Sequence, residues 1–270
     1  MELINFLSYG FIQRALIAGS FIGLLCSLLG VFLVLRRLSL IGDGLAHVTF
    51  GSIALGLLLN FYPLYIAIPV VMLCSLGILK LMERARLYGD AAIGIVSSVG
   101  IAGGTLMASL AGGFNVDLFS YLFGNILAIS TTEVGISMAL SGAVIITIAV
   151  FYNELFSLTF DEEFARATGI RTERINTVFI LATALTVVLA TRVVGILLVS
   201  SLLILPAVTS LQLAKGFKIA IVISCITGVL SVIAGIVVSF LMNLPAGATI
   251  VMLNLLFFIA AFIYRSVHRA

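Results

Sequence analysis

Long runs of apolar residues constrain this chain more than any other feature. Residues 219–242, IAIVISCITGVLSVIAGIVVSFLM, carry no charged side chain, and comparable runs recur from one end of the sequence to the other. A helix needs about 20 apolar residues to cross the hydrocarbon layer of a bilayer. The runs do not alternate between apolar and polar residues as transmembrane β-strands must. The sequence therefore predicts an all-α, polytopic membrane protein.

Composition excludes a large soluble protein. Charged residues make up 9% of the 270 residues, whereas soluble domains contain about 25%. The net charge of +3 does not indicate a nucleic-acid partner, because the basic residues lie at the ends of the apolar runs. The three cysteines are far apart and form no CxxC pair, so we expect them to be small buried hydrophobic residues.

The apolar runs predict eight or nine transmembrane helices. The segments are 11–35, 44–60, 64–82, 91–111, 132–152, 176–191, 193–214, 219–241 and 246–264. Residues 112–130 belong to none of them and include a piece too short to cross the membrane. Ser130 and Glu133, in the sequence STTE, fit a capping box, which places the start of a helix just after residue 130.

The basic residues predict the orientation of the chain. If the loop after the first span is cytoplasmic, twelve of the fourteen lysines and arginines fall on the cytoplasmic side, and only Arg14 and Arg192 do not. This predicts an external N-terminus, a cytoplasmic C-terminus and a bacterial inner or plasma membrane. This orientation requires an odd number of spans, because the two termini then lie on opposite sides of the membrane. The number depends on how many times the region 176–214 crosses.

The one substantial polar insert covers residues 153–175 and falls in the cytoplasm in this orientation. Asp161 is a good N-cap residue, two glutamates follow it, and Gly169 suits a C-terminal cap. The pattern predicts a short amphipathic helix across the inner face, with an ordinary solvated loop as the alternative. The side chains expected near one face of this helix are those of Phe164, Ala165 and Thr168.

Asp43 and His47 are candidate metal ligands inside an apolar run. They are spaced i, i+4, so a helix that begins near residue 42 places both on one face. An ionisable side chain in hydrocarbon costs roughly 2.5–3.5 kcal/mol, so such groups usually face a cavity or a partner. A carboxylate with an imidazole suits a divalent cation such as zinc or manganese. Alternatively, Asp43 caps the helix and His47 packs against a neighbour.

Further polar and small residues carry weaker predictions. Asp117, Ser120 and Asn125 lie in the segment 112–130, which could dip into the membrane only where it lines a cavity or is buried in protein. Asp117 fits an external helix cap equally well. The pairs of glycines at 19 and 23 and at 100 and 104 are predicted to allow close helix contact. Pro206 is expected to kink or break its helix, with neighbouring hydroxyl groups satisfying freed backbone groups.

Two missing motifs limit the chemistry of this chain. The sequence contains no GxxxxGK[ST], so ATP hydrolysis would require another subunit. It contains no HExxH, and no nucleophile–base arrangement is evident, which argues against a metalloprotease or another membrane enzyme. We therefore expect a transport subunit rather than an enzyme.

Several stretches together resemble the membrane permeases of the ABC-3 family of zinc, manganese and iron importers. They are RRLSLIGDGLAH, GDAAIGIVSS, DLFSYLFGNIL, FDEEFARATGI, VGILLVSSLLILPAVTS and PAGATIV, in the family's order across most of the chain. The resemblance implies a single permease domain over residues 1–270 that forms a homodimer. It also implies two cytoplasmic ATP-binding subunits and an external metal-binding solute-binding protein. No permanently bound cofactor is implied, since the metal is the cargo.

The resemblance also implies roles for particular residues. Asp43 and His47 match the aspartate and histidine of a GDxxxH segment associated with metal passage, and Asp117 matches the aspartate of the family's DLF motif. The stretch FDEEFARATGI resembles the coupling helix that docks on the ATPase. The coupling residues are Phe160, Asp161, Glu162, Glu163, Phe164, Ala165, Ala167, Gly169 and Ile170.

The chain also departs from the family pattern. Ala46 stands where the family often has serine, and Ser120 stands where some manganese-type members have histidine. Zinc and manganese therefore both stay open, with zinc slightly favoured. The main alternative function is an ion-coupled secondary transporter or channel that acts without an ATPase. That alternative leaves the polar insert without a role, and no clear inverted repeat is present. A permease for metal chelates is a further possibility.

Overall fold

The structure, a computed structural model, describes residues 9–85, 88–113, 116–124 and 130–269. Over these residues the chain forms twelve α-helices and no β-strand. The helices are α1 Gly10–Leu35, α2 Ile41–Leu58, α3 Pro63–Arg84, α4 Gly89–Leu110, α5 Val116–Phe123, α6 Thr131–Val150, α7 Tyr152–Phe160, α8 Glu162–Ala167, α9 Thr172–Val193, α10 Val199–Leu213, α11 Phe217–Met242 and α12 Ala246–Arg269.

Eight of the described helices are long and apolar enough to cross a membrane. They are α1, α2, α3, α4, α6, α9, α11 and α12. The segment predicted at 193–214 instead forms α10, which has 15 residues and is shorter than a typical span. The all-α, multi-pass membrane fold is therefore confirmed.

The chain divides into two compact units. The first unit comprises Met1–Val31, Ser120–Ser141 and Leu189–Ala270, and the second comprises Phe32–Phe119 and Gly142–Val188. Three of the four boundaries fall inside long helices and one falls inside α5, so neither unit is a continuous stretch of sequence. The single permease domain expected from the sequence stays a prediction.

Close helix contacts organise the first unit. A Cβ atom added at Gly23 of α1 would lie 3.0 Å from Val232 Cγ2 and 3.2 Å from the carbonyl oxygen of Gly228, both on α11. Ser224 donates its hydroxyl hydrogen to the carbonyl oxygen of Ser27, at 2.9 Å. The predicted close contact at the first glycine pair is confirmed, because a larger residue would separate α1 from α11.

The first unit also contains a break between two helices. Between α9 and α10, Ile196 N donates to Tyr121 O at 3.0 Å and Leu197 N donates to Leu122 O at 3.3 Å, so the last turn of α5 supplies the acceptors. Tyr121 is buried, as expected for irregular backbone within a membrane protein. The break does not lie at Pro206, and α10 continues through that residue. A proline removes only one backbone donor, and this helix accommodates the loss.

The capping box at the start of α6 is confirmed. Ser130 N donates to Glu133 Oε2 at 2.8 Å, and Glu133 N donates to Ser130 Oγ at 3.2 Å. Glu133 Oε1 also forms an ion pair with Arg192 Nη2, and the two side chains are only 4% and 15% exposed. The Arg192 guanidinium lies 4.5 Å from the centre of the Tyr121 ring. The ion pair therefore joins α6 to α9, and Arg192 adds a contact with α5.

The second unit is built on the contact between α2 and α4. A Cβ at Gly100 would lie 2.8 Å from the carbonyl oxygen of His47, and one at Gly51 would lie 2.7 Å from the carbonyl oxygen of Gly100. A Cβ at Gly104 would lie 2.9 Å from the Cα atom of Gly51. The close contact predicted for the second glycine pair is confirmed, and it places the backbone of His47 directly against α4.

We expect Glu133→Gln to destabilise the protein more than Ser130→Ala. Glutamine can keep the capping box, but it leaves Arg192 buried without its counter-ion, which costs roughly 3–5 kcal/mol. Loss of the Ser130 cap alone costs about 1 kcal/mol. The measurement is the thermal unfolding midpoint of the purified protein in detergent. A larger fall in the midpoint for Ser130→Ala than for Glu133→Gln would show that the ion pair contributes little to stability.

We expect Gly100→Ala and Gly103→Ala to change stability in opposite directions. Alanine is the better helix former by roughly 0.5–1 kcal/mol, and a Cβ at Gly103 meets nothing within 4 Å. At Gly100 the added methyl group meets backbone atoms of α2, which costs roughly 1–3 kcal/mol. Thermal unfolding of both variants in detergent tests this. Equal unfolding midpoints for the two variants would contradict the close contact between α2 and α4 at Gly100.

Candidate metal site and coupling segment

Asp43 and His47 lie on one face of α2, as predicted. The N-cap of this helix is Leu40, and Asp43 lies in the first turn, so Asp43 is not the capping residue. His47 Nδ1 is 3.9 Å from Asp43 Oδ2, and the side chains of His47 and Asp43 are 24% and 48% exposed. The pair is therefore half-buried, and the distance between the two groups is longer than a direct hydrogen bond.

Ser97 of α4 is the contact that sequence reasoning missed. Its hydroxyl oxygen lies 2.6 Å from His47 Nδ1, so His47 does have a packing neighbour. The signal that could have found it is spacing, because Ser97, Gly100 and Gly104 follow the positions i, i+3 and i+7 of one helix face. The glycines bring α4 against the backbone of α2, and Ser97 then reaches the imidazole.

The Ser97 contact determines what His47 can do chemically. If Nδ1 carries the proton and donates it to Ser97 Oγ, Nε2 is the nitrogen that can bind a metal ion. A hydrogen bond of this kind fixes the ring orientation and makes the ligand nitrogen more basic. Asp43 supplies a carboxylate one turn away on the same helix. Together the two side chains offer one nitrogen and one oxygen donor.

A third ligand is not identified among the described residues, where no third histidine, cysteine, aspartate or glutamate joins Asp43 and His47 in a metal-binding group. Asp117 belongs to α5, but its side chain lies outside the described part of the structure, as does Asn125. Ser120 is half-buried on α5. The role of Asp117 as a ligand stays a prediction.

The capping signals in the polar insert are confirmed. Asp161 separates α7 from α8, and its Oδ1 accepts a hydrogen bond from Phe164 N at 2.9 Å. At the other end, Gly169 has φ +87°, and Ile170 N donates to Ala165 O at 3.1 Å. This pattern is a Schellman cap, which glycine adopts without strain. The helix has six residues, so it is short, as predicted.

Docking side chains in this segment are distributed differently from the prediction. Ala165 is buried, whereas Phe160 at the end of α7 and Phe164 on α8 are exposed. The expectation that Ala165 shares a face with Phe164 is therefore wrong, because α8 turns Ala165 towards its own unit. Exposed residues of the segment also include Asp161, Glu162, Glu163, Ala167 and Gly169, and Ile170 is half-buried. An exposed surface with two phenylalanines suits contact with another protein.

Comparisons with known proteins cover nearly the whole chain. The ABC 3 transport family matches residues 8–265. The manganese transport system membrane protein MntC of Halalkalibacterium halodurans is 32% identical over 258 residues, which is 96% of this chain and 88% of that protein. The manganese import system permease protein ScaB of Streptococcus gordonii is 32% identical over 94% of this chain and 91% of its own length.

A solved structure is similar over almost the full length. PsaBC from Streptococcus pneumoniae, in complex with a Fab, includes a chain that matches with a TM-score of 0.87 and 32% identity. The match covers 97% of this chain and 94% of that chain.

We expect Ser97→Ala to weaken metal binding and Ser98→Ala to leave it unchanged. Loss of a hydrogen bond that orients a histidine ligand typically lowers metal affinity about 10- to 100-fold. Ser98 is the matched control, because it is the next serine on α4 and is exposed. The measurement is competition for Mn²⁺ between the purified protein and a fluorescent chelator. Equal affinities for the two variants would show that Ser97 does not orient His47.

Proposed function

This chain belongs to the ABC 3 transport family, and on that premise we propose that it is the permease subunit of an ATP-driven importer of a divalent transition metal. The observation that carries the proposal is the Asp43–His47 pair, half-buried on a membrane-spanning helix. Ionisable groups at such positions usually mark an ion pathway. The two side chains lie one turn apart on the same helix face, so a carboxylate oxygen and His47 Nε2 can be presented to the same cation.

Manganese is the proposed cargo, with zinc as the alternative. Sequence reasoning favoured zinc slightly, but MntC and ScaB are both named for manganese transport. Carboxylate oxygen suits manganese, and imidazole nitrogen is a common ligand of divalent first-row metals. Selectivity between such metals depends on geometry and availability rather than on affinity alone, so a transport measurement must decide between them.

The small number of ligands supports transport rather than storage. A closed site with four ligands contributes large binding free energies and would retain its metal. The pair Asp43 and His47, with Asp117 as a proposed third ligand, would hold a metal ion weakly enough to release it. No resident cofactor is required, because the metal ion is the substrate.

The exposed coupling segment supports a partner ATPase. Phe160 and Phe164 project from residues 160–170 with an acidic pair, Glu162 and Glu163, beside them. In the proposed importer this surface docks on a cytoplasmic ATP-binding subunit, one for each copy of a permease homodimer. ATP-driven movement there would pass through α7 and α8 and change which side of the membrane the metal pair faces.

The proposed assembly fixes an orientation in the membrane. The N-terminus lies outside, the coupling segment lies in the cytoplasm, and an external solute-binding protein delivers the metal. A cytoplasmic C-terminus requires an odd number of crossings, so in this proposal α10 crosses the membrane in addition to the eight long helices. The distribution of lysine and arginine supports this orientation. The whole chain acts as one permease domain in a bacterial inner or plasma membrane, in contact with lipid and with no nucleic-acid partner.

We expect Asp43→Asn and His47→Ala to abolish metal accumulation. Removal of a ligand should lower uptake at least as much as loss of a supporting hydrogen bond, about tenfold or more. Asp90→Asn is the matched control, because Asp90 lies in the first turn of α4 and is exposed. The measurement is Mn²⁺ and Zn²⁺ uptake by cells that produce the chain together with its ATPase and solute-binding protein.

The same experiment separates the rival functions. Unchanged uptake in both variants would show that Asp43 and His47 are structural. Uptake that continues when the ATPase is inactivated would favour an ion-coupled carrier or channel. Uptake of Zn²⁺ but not Mn²⁺ would correct the proposed metal while leaving the proposed mechanism in place.

A further inference from the structure

Arg36 lies in the short turn that connects α1 to α2, but its side chain is turned inward. Its Nη2 donates to Asn176 Oδ1 at 2.5 Å, and its guanidinium lies 5.1 Å from the centre of the Phe179 ring. The ring of Phe179 in turn packs edge-on against Phe32, with centroids 6.1 Å apart. Arg36 is therefore held by α9 through a hydrogen bond and a cation–π contact.

Arg36 is also linked electrostatically to the coupling segment. Arg36, Asn176 and Glu162, the first residue of α8, line one cavity of about 390 Å³. Burial lowers the pKa of the Arg36 guanidinium, and the negative charge of Glu162 acts in the opposite direction. Arg36 Nη1 is buried and has no hydrogen-bond partner among the described residues, so a donor is available on this side chain. Glu162 Oε1 also forms an ion pair with Arg166 Nη2, at 3.4 Å, so its charge acts both on Arg166 and on the Arg36 cation that is anchored to α9.

The turn itself is tightly bonded to the start of α2. Leu38 N donates to Leu33 O at 2.8 Å, and Ile41 N donates to Leu38 O at 3.0 Å. Asp43 then lies in the first turn of α2. These hydrogen bonds join the turn to both α1 and α2, so we expect a displacement of the Arg36 backbone to shift the first turn of α2. The turn therefore connects the cavity beside α8 to the metal pair.

We propose that Arg36 is a positioning residue that transmits movement of the coupling segment to the helix that carries Asp43 and His47. This inference rests on the proposed function. When the ATPase moves α8, the position of Glu162 relative to Arg36 changes, and Arg36 moves the turn at the start of α2. Asn176 and Phe179 on α9 provide the fixed points against which this movement occurs.

A purely structural role for Arg36 makes a different prediction. An arginine that only stabilises the fold would lower the amount of assembled protein, with transport and ATP hydrolysis reduced together. A positioning residue changes the number of metal ions moved for each ATP hydrolysed. Coupling free energies between two sites usually change affinities by roughly 5- to 150-fold. A change of that size in the number of metal ions moved per ATP hydrolysed is measurable.

The test compares Arg36→Met with Arg37→Met in the assembled transporter, reconstituted with its ATPase in liposomes. Methionine keeps apolar contact with Phe179 but removes the charge and the donor to Asn176. Arg37 is the matched control, since it is the adjacent arginine and is exposed. We expect Arg36→Met to lower Mn²⁺ transported per ATP hydrolysed at least about fivefold, while ATP hydrolysis continues. Arg37→Met should match the wild type.

A second pair of variants keeps the inference testable if Arg36→Met does not assemble. Glu162→Gln removes the facing charge at the surface, and Asp90→Asn is its control, since Asp90 is an exposed carboxylate on α4 that does not line the cavity with Arg36. We expect only Glu162→Gln to lower the ratio of transport to hydrolysis.

Equal ratios for Glu162→Gln and Asp90→Asn, or a proportional fall of transport and hydrolysis in Arg36→Met, would overturn the inference. If the wild-type complex transports no metal on addition of ATP, the proposed function itself is wrong.

Discussion

Backbone hydrogen bonding in an apolar layer is the constraint on which this structure depends. Hydrocarbon offers no partner for an amide or a carbonyl group, so the chain crosses the layer only as helices. Where the helix ladder stops between α9 and α10, the carbonyl groups of Tyr121 and Leu122 accept the freed amides. The amide groups of the irregular backbone are therefore hydrogen-bonded within the protein. The eight-residue helix α5 provides the acceptors.

The same constraint explains two opposite uses of charged side chains. Glu133 is buried and Arg192 largely so, and the two form an ion pair with a capping box and an aromatic ring as further support. Asp43 and His47 are half-buried, and their nearest polar atoms are 3.9 Å apart. The first pair stabilises structure because both charges are compensated. The second pair is partly exposed on a spanning helix, and this position supports its proposed role in a metal pathway.

Much of the local structure could be predicted from the sequence. The capping box at Ser130 and the caps at Asp161 and Gly169 depend on residues within a few positions of one another, so short stretches of sequence contain the whole interaction. The spacing of Asp43 and His47 on one helix face follows from the helical period in the same way. The helix α10 continues through Pro206, although this residue lacks a backbone N–H group. Whether a helix tolerates that loss depends on the surrounding structure, which the sequence around Pro206 does not contain.

The sequence by itself determined that this chain is a helical membrane protein with an aspartate and a histidine on one span, because apolar length and helical spacing are local properties. Only the tertiary structure decided which groups meet those two residues. The hydroxyl of Ser97 reaches His47 because glycines on α2 and α4 bring two distant segments into contact. The burial of Ala165 and the inward turn of Arg36 arise in the same way. Such contacts depend on shape complementarity between helices, which no short stretch of sequence contains.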